Sequence, residues 1–165
     1  MKKEISIKEL NGNFVKMISE DWALLTSGKN EDFNTMTVSW GGIGELWGKN
    51  VAFVFVRPQR LTYEYMEKYD NYTLSFFGGD YKKELTFCGR NSGRDADKIK
   101  ETGLTPECFD GAVGFKESKI VVKMKKLAYQ DIDKNGFVDS SVIKNYNGDD
   151  FHRVYIGEIE KVYAE

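Results

Sequence analysis

Residues 33–56 read FNTMTVSWGGIGELWGKNVAFVFV. The last part, NVAFVFV (50–56), is an unbroken run rich in β-branched and aromatic residues, the pattern of a strand buried on both faces. The first part sets two tryptophans and a series of glycines among small hydroxyl residues and one asparagine. A solvated loop has no use for the indoles, and a core strand is weakened by the glycines. Taken by itself, the segment reads as an ordinary strand followed by a glycine-rich turn. It also offers Asn34, Thr35, Thr37 and Ser39 as side-chain donors and acceptors, with backbone amides open to close approach. Such a segment can line the polar edge of a planar ring or wrap a phosphate.

Outward from this stretch, the pattern stays strand-rich. WALLTS (22–27) reads as a strand ended by the turn residues GKN, and YTLSFF (72–77) as another, stopped by Gly78 and Gly79. KIVVKMKKLAYQDI (119–132) has a period of two and predicts a half-exposed strand. FHRVYIGEIEKVY (151–163) alternates as well, Val154 and Ile156 against Tyr155 and Gly157. Between the strands lie short helices. LTYEYMEKY (61–69) has Thr62 as its expected N-cap, and Asp80 can cap a helix through YKKELTFCGR. SGRDADKIKETG (92–103) reads as a helix started by Ser92 or Asp95 and closed by Gly103. The expectation is a mainly β chain with short helices, a barrel or sandwich, in one domain over residues 1–165.

Composition narrows the function classes. Of 165 residues, 41% are apolar and 14% aromatic, as a globular chain requires. The net charge of −2 gives no electrostatic reason to bind nucleic acid. No apolar run is long enough for a membrane helix, and MKKEISIKEL lacks the apolar core of a signal peptide, so the expected location is cytoplasmic. Cys88, Cys108 and His152 form no metal-ligand spacing, and no metal is expected. DIDKNGFVDSSV (131–142) imitates a calcium loop at Asp131, Asp133, Asn135, Gly136 and Asp139. Its twelfth position is Val142 where a bidentate glutamate belongs, so it reads as a turn.

Two further segments carry cations beside expected helix starts. RPQRLT (57–62) places Arg57 and Arg60 after the apolar strand, and CGRNSGRDADK (88–98) brings glycine, serine and arginine up to a helix. Both suit an anion.

Together NTMTVSWGGIGELWGKNVAFVFVRPQRLTYEYMEKYDNYTLSFF, SGRDADK and FHRVYIGEIEKV resemble the flavin reductase-like, FMN-binding split-barrel family, in particular its flavoredoxin-type members. The likeness runs through nearly the whole chain in the same order. It implies a split β-barrel homodimer with one FMN per subunit near the interface. By that likeness Asn34, Thr35, Met36 and Thr37 face the isoalloxazine edge, and Ser39, Trp40, Arg60 and Thr62 hold the phosphate end, with Arg57 beside them. Ser92, Gly93, Arg94 and Lys98 close the site, and His152 lies where a nicotinamide would dock. The implied activity is NAD(P)H:flavin oxidoreduction, hydride passing from nicotinamide to flavin N5 without a catalytic side chain. The alternative is a flavoredoxin-like electron carrier that holds FMN tightly and serves a redox partner protein. A pyridoxamine-phosphate-oxidase-like enzyme on a related barrel fits SWGG…WGK and SGRDADK less well.

Overall fold

The computed structural model describes residues 2–165. Its strands are β1 (Lys3–Ile5), β2 (Ala23–Lys29), β3 (Asp32–Val38), β4 (Gly41–Leu46), β5 (Lys49–Val56), β6 (Asn71–Phe76), β7 (Pro106–Phe109), β8 (Ala112–Phe115), β9 (Ile120–Asp131) and β10 (Arg153–Ala164). Four short helices interrupt them: α1 (Phe14–Lys16), α2 (Leu61–Lys68), α3 (Lys82–Arg90) and α4 (Lys98–Thr102). An eight-stranded antiparallel sheet runs in the order β3-β2-β6-β9-β10-β5-β4, with β1 added on β10. β7 and β8 form a separate hairpin.

β3 and β4 stand at opposite ends of this path, yet only Ser39 and Trp40 separate them in the chain. The sheet must curl until its ends meet, so the barrel closes through the covalent chain and not through a ladder of hydrogen bonds. Inside it pack Leu25, Met36, Val54, Met66, Leu74, Met124 and Tyr155. A second cluster of Leu24, Phe77, Leu85, Cys88, Leu104 and Phe115 seats α3 on the outside of β2. Burial of each large side chain contributes roughly 1.5–3 kcal/mol, enough to fix a helix of this length.

The sequence expectation of a mainly β chain with short helices describes this architecture. Several local readings need correction. β5 is not buried on both faces: Val51, Val54 and Val56 are buried, while Phe53 and Phe55 are only half-buried beside Val154 and Ile156 of β10. The expected turn after Ser39 is instead strand β4, paired with β5. Its glycines permit the approach, since a Cβ at Gly41 would lie 2.8 Å from the Phe53 carbonyl oxygen. Arg60, not Thr62, occupies the N-cap of α2. α3 begins after Tyr81 without a side-chain cap, and Asp80 pairs with Lys119. α4 starts at Asp97, whose carboxylate accepts from the amides of Ile99 and Lys100 at 3.1 Å. Residues 92–96 form a tight turn, and Gly103 closes α4 in the left-handed region at φ 68°. The acidic segment after β9 folds as two 3-10 turns, with Asp133 and Asp139 bonded to amides of their own turns. Asp131 holds Arg153 at 2.6 and 2.8 Å.

Candidate functional site

Where the two sheet ends meet, a cavity of about 220 Å³ opens. Met36, Thr37 and Val38 supply one wall from β3, Ser39 and Trp40 cross its mouth, and Phe55, Arg57, Arg60 and His152 supply the other. No carboxylate lines it. β3 is an edge strand, so half of its main-chain groups have no partner strand. The Thr35 carbonyl points outward, accepting from Lys98 Nζ at 2.7 Å. The main-chain groups of Thr37, two residues on, face the same way.

Two cations lie close together here, Arg60 lining this cavity and Lys98 outside it. Arg60 donates to the carbonyls of Gly89 at 2.6 Å and Cys88 at 3.1 Å. Lys98 is 5% exposed and donates to Thr35 and Cys88. Neither forms an ion pair among the described residues. Burial, then the charge of Arg60, pulls the Lys98 ammonium down to about 8, and burial lowers Arg60 also. Desolvation disfavours the charged form, and only the Cys88 thiol, with no carboxylate, opposes it.

The opposite wall is aromatic. His152 lies 5.2 Å from the Trp40 ring and 6.3 Å from Phe55, and its Nδ1 is 3.0 Å from the Tyr146 hydroxyl. Burial, then the nearby Arg57, pulls His152 down to about 4 against the opposing pull of Asp150. The imidazole is therefore neutral at physiological pH. Arg57 is fully engaged: it pairs with Asp150, donates to the Asn145 carbonyl at 2.6 Å and stacks 5.2 Å above Tyr146.

The remaining sequence candidates gather elsewhere. Asn34, Thr35, Gly93, Arg94 and Lys98 border a second cavity of about 460 Å³ on the far side of Lys98. A Cβ at Gly93 would stand 2.2 Å from the Asn34 amide oxygen, so only glycine fits against it. Ser92 accepts from the Arg94 amide within its turn. Arg94 donates to the Gln59 carbonyl at 3.1 Å and pairs with Glu64. Thr62 lines neither cavity; it is buried and accepts from Asn34 Nδ2 at 2.7 Å. Phe55, Tyr146 and Asp150 were not legible as site residues, because only tertiary contact brings the 137–151 segment against Trp40 and Arg57.

A family model described as the flavin reductase like domain matches residues 16–165. The chain belongs to the flavin reductase-like family. No curated protein matches it. Among solved structures, it resembles a flavoredoxin from Methanosarcina acetivorans with a TM-score of 0.66 and 19% identity, over 88% of this chain and 68% of that one. Flavoredoxin of Desulfovibrio vulgaris (Miyazaki F) aligns with a TM-score of 0.67 and 21% identity, over 87% and 69%. An FMN-binding protein from Thermus thermophilus, solved with p-hydroxybenzaldehyde bound, gives 0.67 and 18% over 99% and 82%. These likenesses establish the split-barrel fold of the flavin reductase-like domain. Among the described residues no helix is long and apolar enough to cross a membrane.

Proposed function

We propose that residues 1–165 form a single flavin reductase-like domain that binds FMN in the Trp40–Arg60 cavity and acts as an NAD(P)H:flavin oxidoreductase. The observation that carries this reading is the Arg60–Lys98 pair, two cations held by carbonyls with no carboxylate to balance them. Burying such groups without a counter-charge is costly, and a ligand phosphate supplies the missing charge. The lining fits the rest of the cofactor: Trp40 and Phe55 offer ring surfaces, β3 an open main-chain edge, Ser39 a hydroxyl, and nothing anionic repels the ligand.

Met36, Thr37, Ser39, Trp40 and Arg60 would hold FMN, with Lys98 behind them and Arg57 bracing the mouth. A bound flavin supplies hydride and electron exchange. The protein's part is to bind, orient and exclude water. Outward main-chain donors on β3 favour a ring edge that gains negative charge. Neutral His152 offers an uncharged wall to a nicotinamide, and no side chain need accept or give a proton. The half-buried patch of Phe53, Phe55, Val154 and Ile156 supports a homodimer, in which a second copy would cover the outer face of β5 and β10.

Flavin titration followed by fluorescence tests the reading, with FMN expected to bind more tightly than riboflavin. Equal affinities would remove the phosphate site. Steady-state oxidation of NADH and NADPH with added FMN separates the reductase from an electron carrier, which would hold FMN without turnover.

A further inference from the structure

We propose that Tyr146 is a positioning residue for His152: its hydroxyl donates to Nδ1, and so fixes the imidazole with Nε2–H turned into the Trp40–Arg60 cavity as a donor to a carbonyl oxygen of the bound ring. This rests on the reading that the cavity holds a flavin.

His152 makes one side-chain hydrogen bond among the described residues, from the ring at Nδ1 to the Tyr146 hydroxyl, over 3.0 Å. His152 lines the cavity and Tyr146 does not. The Nδ1 edge therefore faces away from the ligand space and the Nε2 edge faces it. Nε2 has no partner among the described residues. Open space reaches it, because the buried side-chain atoms left unpaired there are the Tyr72 hydroxyl and Ser75 Oγ. A neutral imidazole carries one ring proton, and the bond made at one nitrogen sets what the other offers. With Tyr146 donating, Nε2 is an N–H donor; with Tyr146 accepting, Nε2 is a bare acceptor.

The surroundings favour donation by Tyr146. Burial, opposed by Arg57, raises the phenol, so the hydroxyl keeps its proton. The Arg57 guanidinium lies 5.2 Å from the centre of the ring. A cation over an aromatic face draws charge from the ring and its oxygen, which makes the hydroxyl a better donor and a poorer acceptor. The cavity has the same sign, since Arg60 lines it and no carboxylate does. It is built for ligands that present acceptors. An amide-type carbonyl oxygen is the acceptor that a flavin ring and a nicotinamide both carry.

Both partners are held by other contacts. The Tyr146 amide donates to the Ile143 carbonyl at 2.9 Å, closing the Ser140–Asn145 turn. Its ring packs 4.7 Å from Phe151 and 6.0 Å from Phe137. Arg57 secures the chain on either side by donating to the Asn145 carbonyl and pairing with Asp150. The His152 carbonyl accepts from the Ile132 amide at 3.0 Å. Tyr146→Phe keeps these contacts and removes the hydroxyl alone.

The chain has a single histidine, so selective nitrogen-15 labelling reports the two ring nitrogens of His152 without overlap. In flavin-free wild type at neutral pH, NMR should show one tautomer, with Nδ1 bare and Nε2 protonated. In Tyr146→Phe, whose folding circular dichroism checks, the two nitrogen signals should move toward each other as both tautomers become populated. A protonated Nδ1 in wild type, or an undisturbed tautomer in Tyr146→Phe, overturns the proposal. FMN is then titrated, followed by the unreactive tetrahydro analogue of NADH on the FMN-loaded protein. A downfield shift of the Nε2 proton with FMN alone assigns the carbonyl to the flavin. A shift only with the analogue assigns it to the nicotinamide. FMN binding with no shift at either step removes the carbonyl partner and the proposal with it. Flavin fluorescence on the same samples judges the flavin reading separately. FMN binding with the wrong tautomer leaves that reading standing. The expected tautomer, lost in Tyr146→Phe but without FMN binding, supports the positioning role and removes the flavin reading.

Discussion

Arg60 and Lys98 donate to one acceptor, each placing a nitrogen 3.1 Å from the Cys88 carbonyl oxygen. Two cations so close repel, and the proximity lowers the Lys98 ammonium further than burial does alone. A peptide dipole cannot balance two charges, whereas a phosphate on Arg60 would add the missing negative charge.

Arg60→Ala should weaken FMN binding by about ten- to a hundredfold, since a hydrogen bond to a charged group is worth roughly 1.5–3 kcal/mol. Riboflavin binding should change little. Arg60→Lys should restore part of the affinity, because the charge remains and the fork is lost. The flavin-free variant should also melt earlier, as Arg60 ties down the carbonyls that end α3. Equal losses for FMN and riboflavin would make Arg60 purely structural.

Lys98 sets a pH dependence on the alkaline side. Its ammonium ionises near 8 when folded, against 10.5 for an ordinary lysine. Between those values the unfolded chain holds more protons, so stability of the flavin-free protein should rise as pH increases from 8 to 10.5. Thermal midpoints across that window should show the rise in wild type and lack it in Lys98→Met. Saturating FMN should flatten the wild-type curve, because a phosphate restores the charged form.

His152 acts on the acid side. An ordinary histidine protonates near 6.5 and this one only near 4, mainly because it is buried. Its contribution to stability is intact above 6.5 and lost as pH falls toward 4, where the unfolded state takes up the extra proton. Urea midpoints from pH 7 to 4 should fall less steeply in His152→Asn than in wild type. Identical slopes would show that another group carries the acid sensitivity.

The core holds a built-in test of packing. The Tyr72 hydroxyl is buried without a hydrogen-bond partner among the described residues, and a Cβ added at Gly157 would lie 2.1 Å from it. Tyr72→Phe removes an unsatisfied polar group, so stability should hold or rise. Gly157→Ala should cost about 1–3 kcal/mol through overpacking, with only partial relief in the double variant, since Tyr72 Cζ is also close at 2.8 Å. Denaturant midpoints of the three variants measure both effects.

Assembly is checked by light scattering. A homodimer is expected for wild type, and Phe53→Glu should shift it to monomer by charging the patch shared with Phe55, Val154 and Ile156. A wild-type monomer at micromolar concentration that binds FMN would remove the dimer.

The long strands were legible because apolar runs and strict alternation leave few other solutions. β4 was hidden by its glycines, which mimic a turn and instead let the strand lie against Phe53. The stretch before Lys98 offered Ser92 and Asp95 as helix starts, and sequence cannot say which side chain meets the first helical amides; Ser92 bonds within its own turn, and Asp97 caps α4. Within the site, Met36, Thr37, Ser39, Trp40, Arg57, Arg60 and His152 meet as one group. Asn34, Gly93, Arg94 and Lys98 border another cavity, and Thr62 turns inward to Asn34.

Ser39 and Trp40 join the first and last strands of the sheet path. Along that line the barrel can loosen without surrendering a rung of its ladder, much as a cuff gapes at its buckle. The Trp40–Arg60 cavity lies across the buckle, with walls from β3 on one bank and from β5 and His152 on the other. A ligand bound to both banks would therefore add a non-covalent tie between strands that the ladder itself does not join.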